Sequence, residues 1–324
     1  MPMVERAFVT GACGFIGKHL VERLLADGIH VTIYDRKEQN QFPTATYCRG
    51  DVVDQETLDL AMFQAAPTIV YHLAALADVR NALKVPGQQV QQNFLATVNV
   101  LEAMRAADVK RIVFTSSAVV YGDTLPSFSR SCQQYGHCPH VPSELTELGM
   151  CFPKQTSIYG AMKLASEALI EAYCVGYGMR ADIFRLVSLV GEGYRHGNLM
   201  DFYRKLKTDP TQITLLGSGT QQKYYCYVGD FIDALSWVQA YPHDGAELWN
   251  VSHGSPNIIE DSLDAVCECL DIHPARLYQG ESWAGDLPSL VLDCSKLCAL
   301  GWAPKVSIED GMRRTVRWMM EQNL

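Results

Sequence analysis

At 324 residues, with 48% hydrophobic and 19% charged side chains, the chain has an ordinary globular composition and length for one large or two modest domains. A formal net charge of −9 leaves no basic footprint, which argues against nucleic-acid binding as the main role. No apolar run approaches the ~20 residues of a membrane helix, and "MPMVERAFVT" lacks the pattern of a secretion signal, so a cytoplasmic protein with no membrane partner is expected.

The first strand is predicted at "RAFVT", and a glycine-rich turn follows it directly, Thr10-Gly11-x-x-Gly14-x-x-Gly17. In such a turn Gly11 allows the sharp exit from the strand, Gly14 lets the backbone approach a pyrophosphate, and Gly17 lets the next helix pack close. That helix spans 15–26, with Ile16, Leu20, Leu24 and Leu25 on one face. Its N-terminus presents unpaired N–H groups and a partial positive charge, which suits an anion. The second strand, "HVTIYD", ends on Asp35, where a carboxylate accepts from both ribose hydroxyls of an adenosine and repels a 2′-phosphate. NAD is therefore favoured over NADP. Arg36 pulls the other way, because a guanidinium there suits the extra phosphate.

"TYCRGD" is the third strand, and Asp51 at its end is placed for an adenine edge. Asp54 caps a helix running through Leu58, Ala61 and Met62. The strands "TIVYHLA", "RIVFTSS" and "ADIFRLVSLV" follow, separated by two helices. One helix carries Val90, Phe94, Val98, Leu101 and Met104, and the other Met162, Ala165, Leu169, Ala172 and Tyr173. The strands are almost continuously apolar, as strands covered on both faces are, and the alternation implies βαβ units with helices on both sides of a parallel sheet. Both later helices are apolar beyond one stripe, so they are deeply buried or paired with another subunit; a homodimer seam is the favoured reading.

The connection from Gly122 to Ser157 is rich in Pro and Gly and reads as a loop or lid over a site. After Gly191 the alternation fades into what looks like a smaller, loop-rich lobe. The eleven cysteines are scattered and odd in number, which suggests reduced small hydrophobes rather than a disulfide frame. The tightest group, Cys132, His137, Cys138 and His140, matches no familiar zinc spacing, so no metal site is expected.

Two further groups carry chemistry. In "SIYGAMK", Tyr159 and Lys163 stand at i and i+4 and share a helix face. An ammonium beside a phenol favours the phenolate, and so would a positively charged nicotinamide; Tyr159 is then a base for an alcohol proton. "FTSSAVVYG" places Ser116 and Ser117 at the C-terminal end of a strand, where open α/β sheets bind ligands. Either hydroxyl is able to donate to an oxygen that passes between alkoxide and ketone.

Together these residues resemble the extended short-chain dehydrogenase/reductase family, and within it the chain is most similar to the UDP-galactose 4-epimerase type of nucleotide-sugar enzyme. The likeness includes "HLAA", "GSGTQQKYYCYVGD", the Asn of "LWNVS" and the C-terminal "LVLDCSKLCALGWAPKVSIEDGMRRTVRW". It implies a Rossmann-type doubly wound α/β domain over 1–187, rejoined around 224–252, and a smaller α/β nucleotide-sugar lobe from 188–223 and 253–324. It implies epimerisation at C4 of a nucleotide sugar, with a UDP-sugar favoured, through a 4-keto intermediate. Tyr159 is then the base, Ser117 holds the C4 oxygen and Lys163 meets the nicotinamide ribose. By position, Phe15, Ile16, Val52, Leu73, Ala74, Ala75, Asn93 and Ser116 join the glycines, Asp35, Arg36 and Asp51 around the cofactor. Ala118 and Val119 stand where the family's dehydratases carry an acid pair, so dehydration is disfavoured.

For the substrate, Asn198, Leu199 and Asp286 match the UDP-sugar epimerases. Lys223 replaces an Arg, Ser188 an Asn and Trp283 an Arg, while His196 is an added candidate beside the sugar. These departures leave the nucleoside and sugar open. A one-way 4-ketoreductase or dehydrogenase, or a non-catalytic NAD-sensing binder, remain alternatives.

Overall fold

The computed structural model describes residues 5–37, 42–79, 81–122, 155–280 and 291–324. Its contacts divide the chain into two units, one of 1–185 with 238–249 and one of 186–237 with 250–324.

In the first unit the apolar runs are strands: β1 (Arg6–Thr10), β2 (His30–Asp35), β3 (Thr46–Arg49), β4 (Ile69–His72), β5 (Arg111–Ser117) and β6 (Arg180–Leu186). They form a seven-stranded sheet in the order β10-β6-β5-β4-β1-β2-β3, where β10 is Ala246–Val251. From β3 to β6 this is the order of a doubly wound dinucleotide-binding sheet, whose direction of winding reverses between β1 and β4. Strand β1 pairs in parallel with both β2 and β4, Thr10 standing opposite Tyr34 on one side and His72 on the other. Phe8, Val70 and Phe114 of the sheet are wholly buried against Leu58, Met62, Leu101, Met104 and Ile170 of the helices. Each contributes roughly 1.5–3 kcal/mol of burial free energy.

Helix α1 (Phe15–Ala26) buries Gly17, Leu20, Val21 and Leu24. Ile16 and Leu25 are only half-buried, so the buried stripe is turned slightly from the expected one. Helix α2 (Gln55–Ala65) is capped by Asp54, which accepts from the Thr57 N–H at 3.3 Å. A single turn, α3 (Pro86–Gln89), runs into a π-helical turn at Val90–Leu95 before α4 (Ala96–Ala106). Helix α5 (Ile158–Tyr177) is capped by Ser157, which accepts from the Gly160 N–H at 3.0 Å, and is stopped by Gly178 in the left-handed region.

The run 181–190, read as one strand, is two. It breaks at Val187, after which β7 (Ser188–Val190) pairs in parallel with β9 (Gln222–Tyr227) in a three-stranded sheet completed by β11 (Pro256–Ile258). Strands β8 (Gln212–Leu216) and β12 (Ala275–Gln279) form a second small sheet.

The second lobe, expected to be loop-rich, also carries helices beside these strands: α6 (Gly197–Thr208), α7 (Val228–Gln239), α8 (Ile259–Leu270), the turn α9 (Ser295–Cys298) and α10 (Ile308–Glu321). Helix α10 has an N-cap in Ser307, Glu309 and Asp310 in its first turn, and a buried face of Ile308, Met312, Val316 and Met319. Thr315 on that face accepts the Gly191 N–H at 2.8 Å and anchors the chain after β7.

No described helix is long and apolar enough to cross a membrane. The described cysteines are free thiols. The Cys132, His137, Cys138 and His140 group, Trp283, Asp286 and nearly all of the 122–157 connection lie outside the described residues.

Candidate active site

The glycine turn leaves β1 at the point where the winding of the sheet reverses. Gly11 has φ +70°, and a Cβ there would meet the Ala74 backbone nitrogen at 2.7 Å. A Cβ on Gly17 would lie 2.4 Å from the Gly11 carbonyl oxygen and 2.6 Å from Ala12 Cα. Both contacts are to backbone, so a side chain at Gly11 would force the turn off the segment after β4, and one at Gly17 would force the turn and α1 apart. Helix α1 begins at Phe15, with Gly14 as a cap that offers no side-chain acceptor to the first N–H groups. Leu73 donates to the Thr10 carbonyl at 3.2 Å and the Ala74 N–H to Thr10 Oγ1 at 3.3 Å, so the chain after β4 lies along the same turn.

Asp35 reaches this turn. Its Oδ2 accepts the Cys13 N–H at 2.9 Å and its Oδ1 the Lys37 N–H at 3.0 Å. Each oxygen keeps acceptor capacity for a hydroxyl. Lys37 Nζ donates to the Cys13 carbonyl at 2.7 Å; the sequence reading passed over this residue, although it follows Asp35 and Arg36 directly. Arg36, largely exposed, faces Asp51 at 3.4 Å. Asp51 Oδ1 also accepts the Val53 N–H at 3.2 Å, and the Val52 carbonyl accepts from Asn99 at 3.0 Å. Asn93 is buried and its amide grips the loop after β4: it accepts the Leu76 N–H at 2.8 Å and donates to the Leu76 carbonyl and to Gln89.

A directed chain of hydrogen bonds underlies the turn. Thr10 Oγ1, which accepts from Ala74, lies 2.8 Å from His72 Nδ1, and His72 Nε2 lies 3.2 Å from Thr97 Oγ1. Thr97 donates to the Asn93 carbonyl at 2.8 Å, and Ser166 of α5 also donates there at 3.2 Å. Burial and the nearby Lys163 push the His72 pKa down to about 3, so the imidazole is neutral. His72 was legible in the sequence only as part of "HLAA".

The second group is at the end of β5. Tyr159 is buried at the start of α5, and its phenol shares a hydrogen bond with the Ser117 side chain. Lys163 is 1% exposed, donates to the Thr115 carbonyl at 2.7 Å, and lies 4.4 Å from the Phe114 ring centroid and 5.9 Å from that of Tyr159. The sequence reading expected Lys163 to pull the phenol toward neutrality. Burial prevails instead: it pushes Tyr159 up to about 12, the Ser117 bond opposing, and pushes Lys163 down to about 7, Glu167 opposing. Both groups are therefore held toward their uncharged forms by burial. Ser116 is buried, and its hydroxyl donates to Glu167. Ala75 is exposed, and Phe15 packs edge-on to His19 at 5.8 Å.

The second unit gathers part of its candidate set around Tyr225. Ser188 is its register partner, and Asn198 Nδ2 donates to its hydroxyl at 2.8 Å. Lys223 lies two residues before it on β9, half-buried. His196 immediately precedes α6 and packs on the Tyr194 ring at 4.6 Å. Leu199 is wholly buried, and its N–H bonds to Asn198 Oδ1 at 3.0 Å.

Residues 7–252 match the model of the NAD dependent epimerase/dehydratase family. A putative UDP-glucose 4-epimerase of Methanocaldococcus jannaschii is 28% identical over 97% of this chain and 98% of that protein. A UDP-glucuronate 4-epimerase of Thermodesulfobacterium geofontis is 29% identical over 97% and 95%. The crystal structure of Thermus thermophilus UDP-glucose 4-epimerase in complex with NAD is 30% identical, covers 97% of this chain and 99% of that one, and superposes with a TM-score of 0.81.

Proposed function

The chain belongs to the NAD dependent epimerase/dehydratase family, and from that premise we propose that it inverts C4 of a nucleotide-diphosphate sugar, with a UDP-sugar as substrate, through a transient 4-keto sugar. The observation that carries this is the buried pair of Tyr159 and Ser117, hydrogen-bonded at the end of β5 with Lys163 beside them. The C4 epimerases among the relatives support the carbon, and their UDP-glucose and UDP-glucuronate names support the nucleotide while leaving the sugar's C6 substituent open.

NAD fits the first unit on that unit's own geometry: a glycine turn that any Cβ would fill, an uncapped helix N-terminus and a carboxylate with acceptor capacity for ribose hydroxyls. Gly11, Gly14, Gly17, Phe15 and Ile16 would hold its pyrophosphate, Asp35 the adenosine ribose, Asp51 and Val52 the adenine, and Leu73, Ala74 and Ala75 the chain between. Bound there, it supplies a positive charge and a reversible hydride acceptor for an alcohol carbon.

The chain's own residues handle the protons. Ser117 donates to the C4 oxygen and holds it against the Tyr159 phenol. Tyr159 takes the C4 hydroxyl proton as the carbonyl forms and returns it when the carbonyl is reduced. The Lys163 ammonium stabilises the phenolate. Ala118 and Val119 carry no group able to move a proton, so water loss from the keto sugar is not assisted. In the second unit, Asn198, Leu199, Ser188, His196 and Lys223 are the proposed contacts for the nucleotide sugar, with Asp286 from outside the described residues.

We also infer a cytoplasmic homodimer. Leu95 is 44% exposed, and Val98, Leu169 and Tyr173 of α4 and α5 are only partly covered, an apolar face suited to a two-fold seam. Leu169→Glu should give a monomer by sedimentation; an unchanged dimer would move the interface elsewhere. The function itself is tested by Tyr159→Phe. Turnover of UDP-glucose and UDP-glucuronate should fall by about 10³-fold or more, with bound NAD retained. Full activity in this variant would dismiss Tyr159 as the base.

A further inference from the structure

The residue one turn beyond Lys163 on the same helix face, Glu167, has no part in the reaction as described. It is 3% exposed, and so nearly is its partner Arg185 of β6 at 4%. Arg185 Nη2 donates to Glu167 Oε2 at 2.6 Å, and its Nε lies 3.1 and 3.2 Å from the two carboxylate oxygens. An ion pair taken this far out of water gains little over a well-packed apolar pair, so stability alone does not account for it.

Each ion has a second partner, and the two partners bracket one short segment. Ser116, next to last in β5, donates to Glu167 Oε1. Tyr121, the last residue of the 3-10 turn Ala118–Tyr121, lies under the Arg185 guanidinium at 4.7 Å and shares a side-chain hydrogen bond with it. Ser117 sits between them and bonds to Tyr159, which stands on the same helix as Glu167.

We propose that the Glu167–Arg185 pair is a positioning device for the reacting centre. It ties both ends of the segment 116–121 to α5 and β6, and so holds the Ser117 hydroxyl against the Tyr159 phenol while placing a carboxylate behind the Lys163 ammonium. This rests on the roles given above to Ser117, Tyr159 and Lys163. The charged and titratable groups facing Lys163 are Tyr159 and Glu167 from its own helix and His72 from β4; Arg185 is engaged by Glu167. Loosening the segment removes the Ser117 bond that favours the phenolate, and removing Glu167's charge weakens the ammonium that stabilises it. Both changes move Tyr159 ionisation to higher pH.

Three variants of the NAD-loaded protein test this. Ser116→Ala removes one tether with no change of charge, Tyr121→Phe weakens the other, and Glu167→Gln keeps an acceptor for Ser116 while removing the carboxylate. Two readings are taken on each. The first is the tyrosinate absorbance of Tyr159 from about pH 6 to about pH 10.5, as the difference from the same variant carrying Tyr159→Phe. The second is kcat and KM across pH. The expected result is less tyrosinate at every pH, a limb of kcat shifted upward by about half to one pH unit, and kcat down roughly three- to tenfold near pH 7 with KM within about twofold. Glu167→Asp should recover part of the loss. If Glu167→Gln does not fold, Ser116→Ala decides, because the ion pair remains. A Ser116→Ala protein with the wild-type tyrosinate curve and kcat overturns the proposal. Undiminished turnover in Tyr159→Phe would instead sink the assignment of the base, while the tyrosinate curves still judge the tether.

Discussion

Replacing Gly17 by alanine should abolish tight NAD binding while leaving the rest of the fold in place. The added Cβ would stand 2.4 Å from the Gly11 oxygen and 2.6 Å from Ala12 Cα and carbonyl oxygen. An ordinary contact needs about 3.4 Å or more, so the turn and α1 must separate by roughly 1 Å. Overpacking of this kind costs ~1–3 kcal/mol of stability. The same displacement moves the N–H groups of Phe15 and Ile16 off any pyrophosphate by more than a hydrogen bond tolerates, and losing two such charge-assisted bonds at ~1.5–3 kcal/mol each weakens binding by ~10²-fold or more. The control is Gly28→Ala, where φ is +76° and nothing lies within 4 Å. It should cost only the ~1–2 kcal/mol of left-handed strain and leave the cofactor alone. Thermal melts with and without added NAD, together with nucleotide content after purification, separate the two effects. A Gly17→Ala protein that retains stoichiometric NAD would refute the close-approach argument.

Further outcomes follow from the same geometry. Asp35→Ala should weaken NAD far more than NADP in a titration, because the lost acceptor is also the group that repels a 2′-phosphate; equal weakening of both would show that Arg36 and Lys37 govern the choice. His72 is neutral when folded, with a pKa near 3, and takes up a proton near pH 6.5 when unfolded, so the unfolded chain binds more protons between those values and stability falls as pH drops through that window. His72→Gln should flatten the melting temperature from about pH 6.5 to pH 4; an unchanged slope would place the acid sensitivity elsewhere. Lys163 titrates near 7 when folded against ~10.4 unfolded, so its deprotonation adds stability as pH rises from about 7 to 10. A Lys163→Met protein should lack that rise and lose most of its turnover; a rise that persists would show that another group drives it.

The sequence carried the strands β1, β2 and β5 and the glycine turn clearly, because continuous apolar runs and fixed glycine spacings are local properties. The break at Val187 was not local: 181–190 is one apolar run, and only pairing with β9 shows that its second half leaves the large sheet. Helix α10 was hidden by charge in "IEDGMRRTVRWMME", where polar residues mask a buried face at helical spacing. Tyr159 and Lys163 announce themselves by spacing. Glu167 lies on the same face, but its meaning depends on Arg185 in a distant strand and on Ser116 and Tyr121 across the turn. Lys37 and His72 act through backbone and hydroxyl partners brought together only by the sheet. The burial that opposes ionisation of both Tyr159 and Lys163 was hidden for a related reason, since pair spacing is visible in a sequence and burial is not.

The most direct test of the account is to incubate the purified protein with UDP-glucose carrying deuterium at C4, in ordinary water and without added cofactor, and to follow both epimers by nuclear magnetic resonance. C4 inversion with the deuterium still on C4 of the product is the predicted result. No inversion, or inversion with the label lost to solvent, would contradict it.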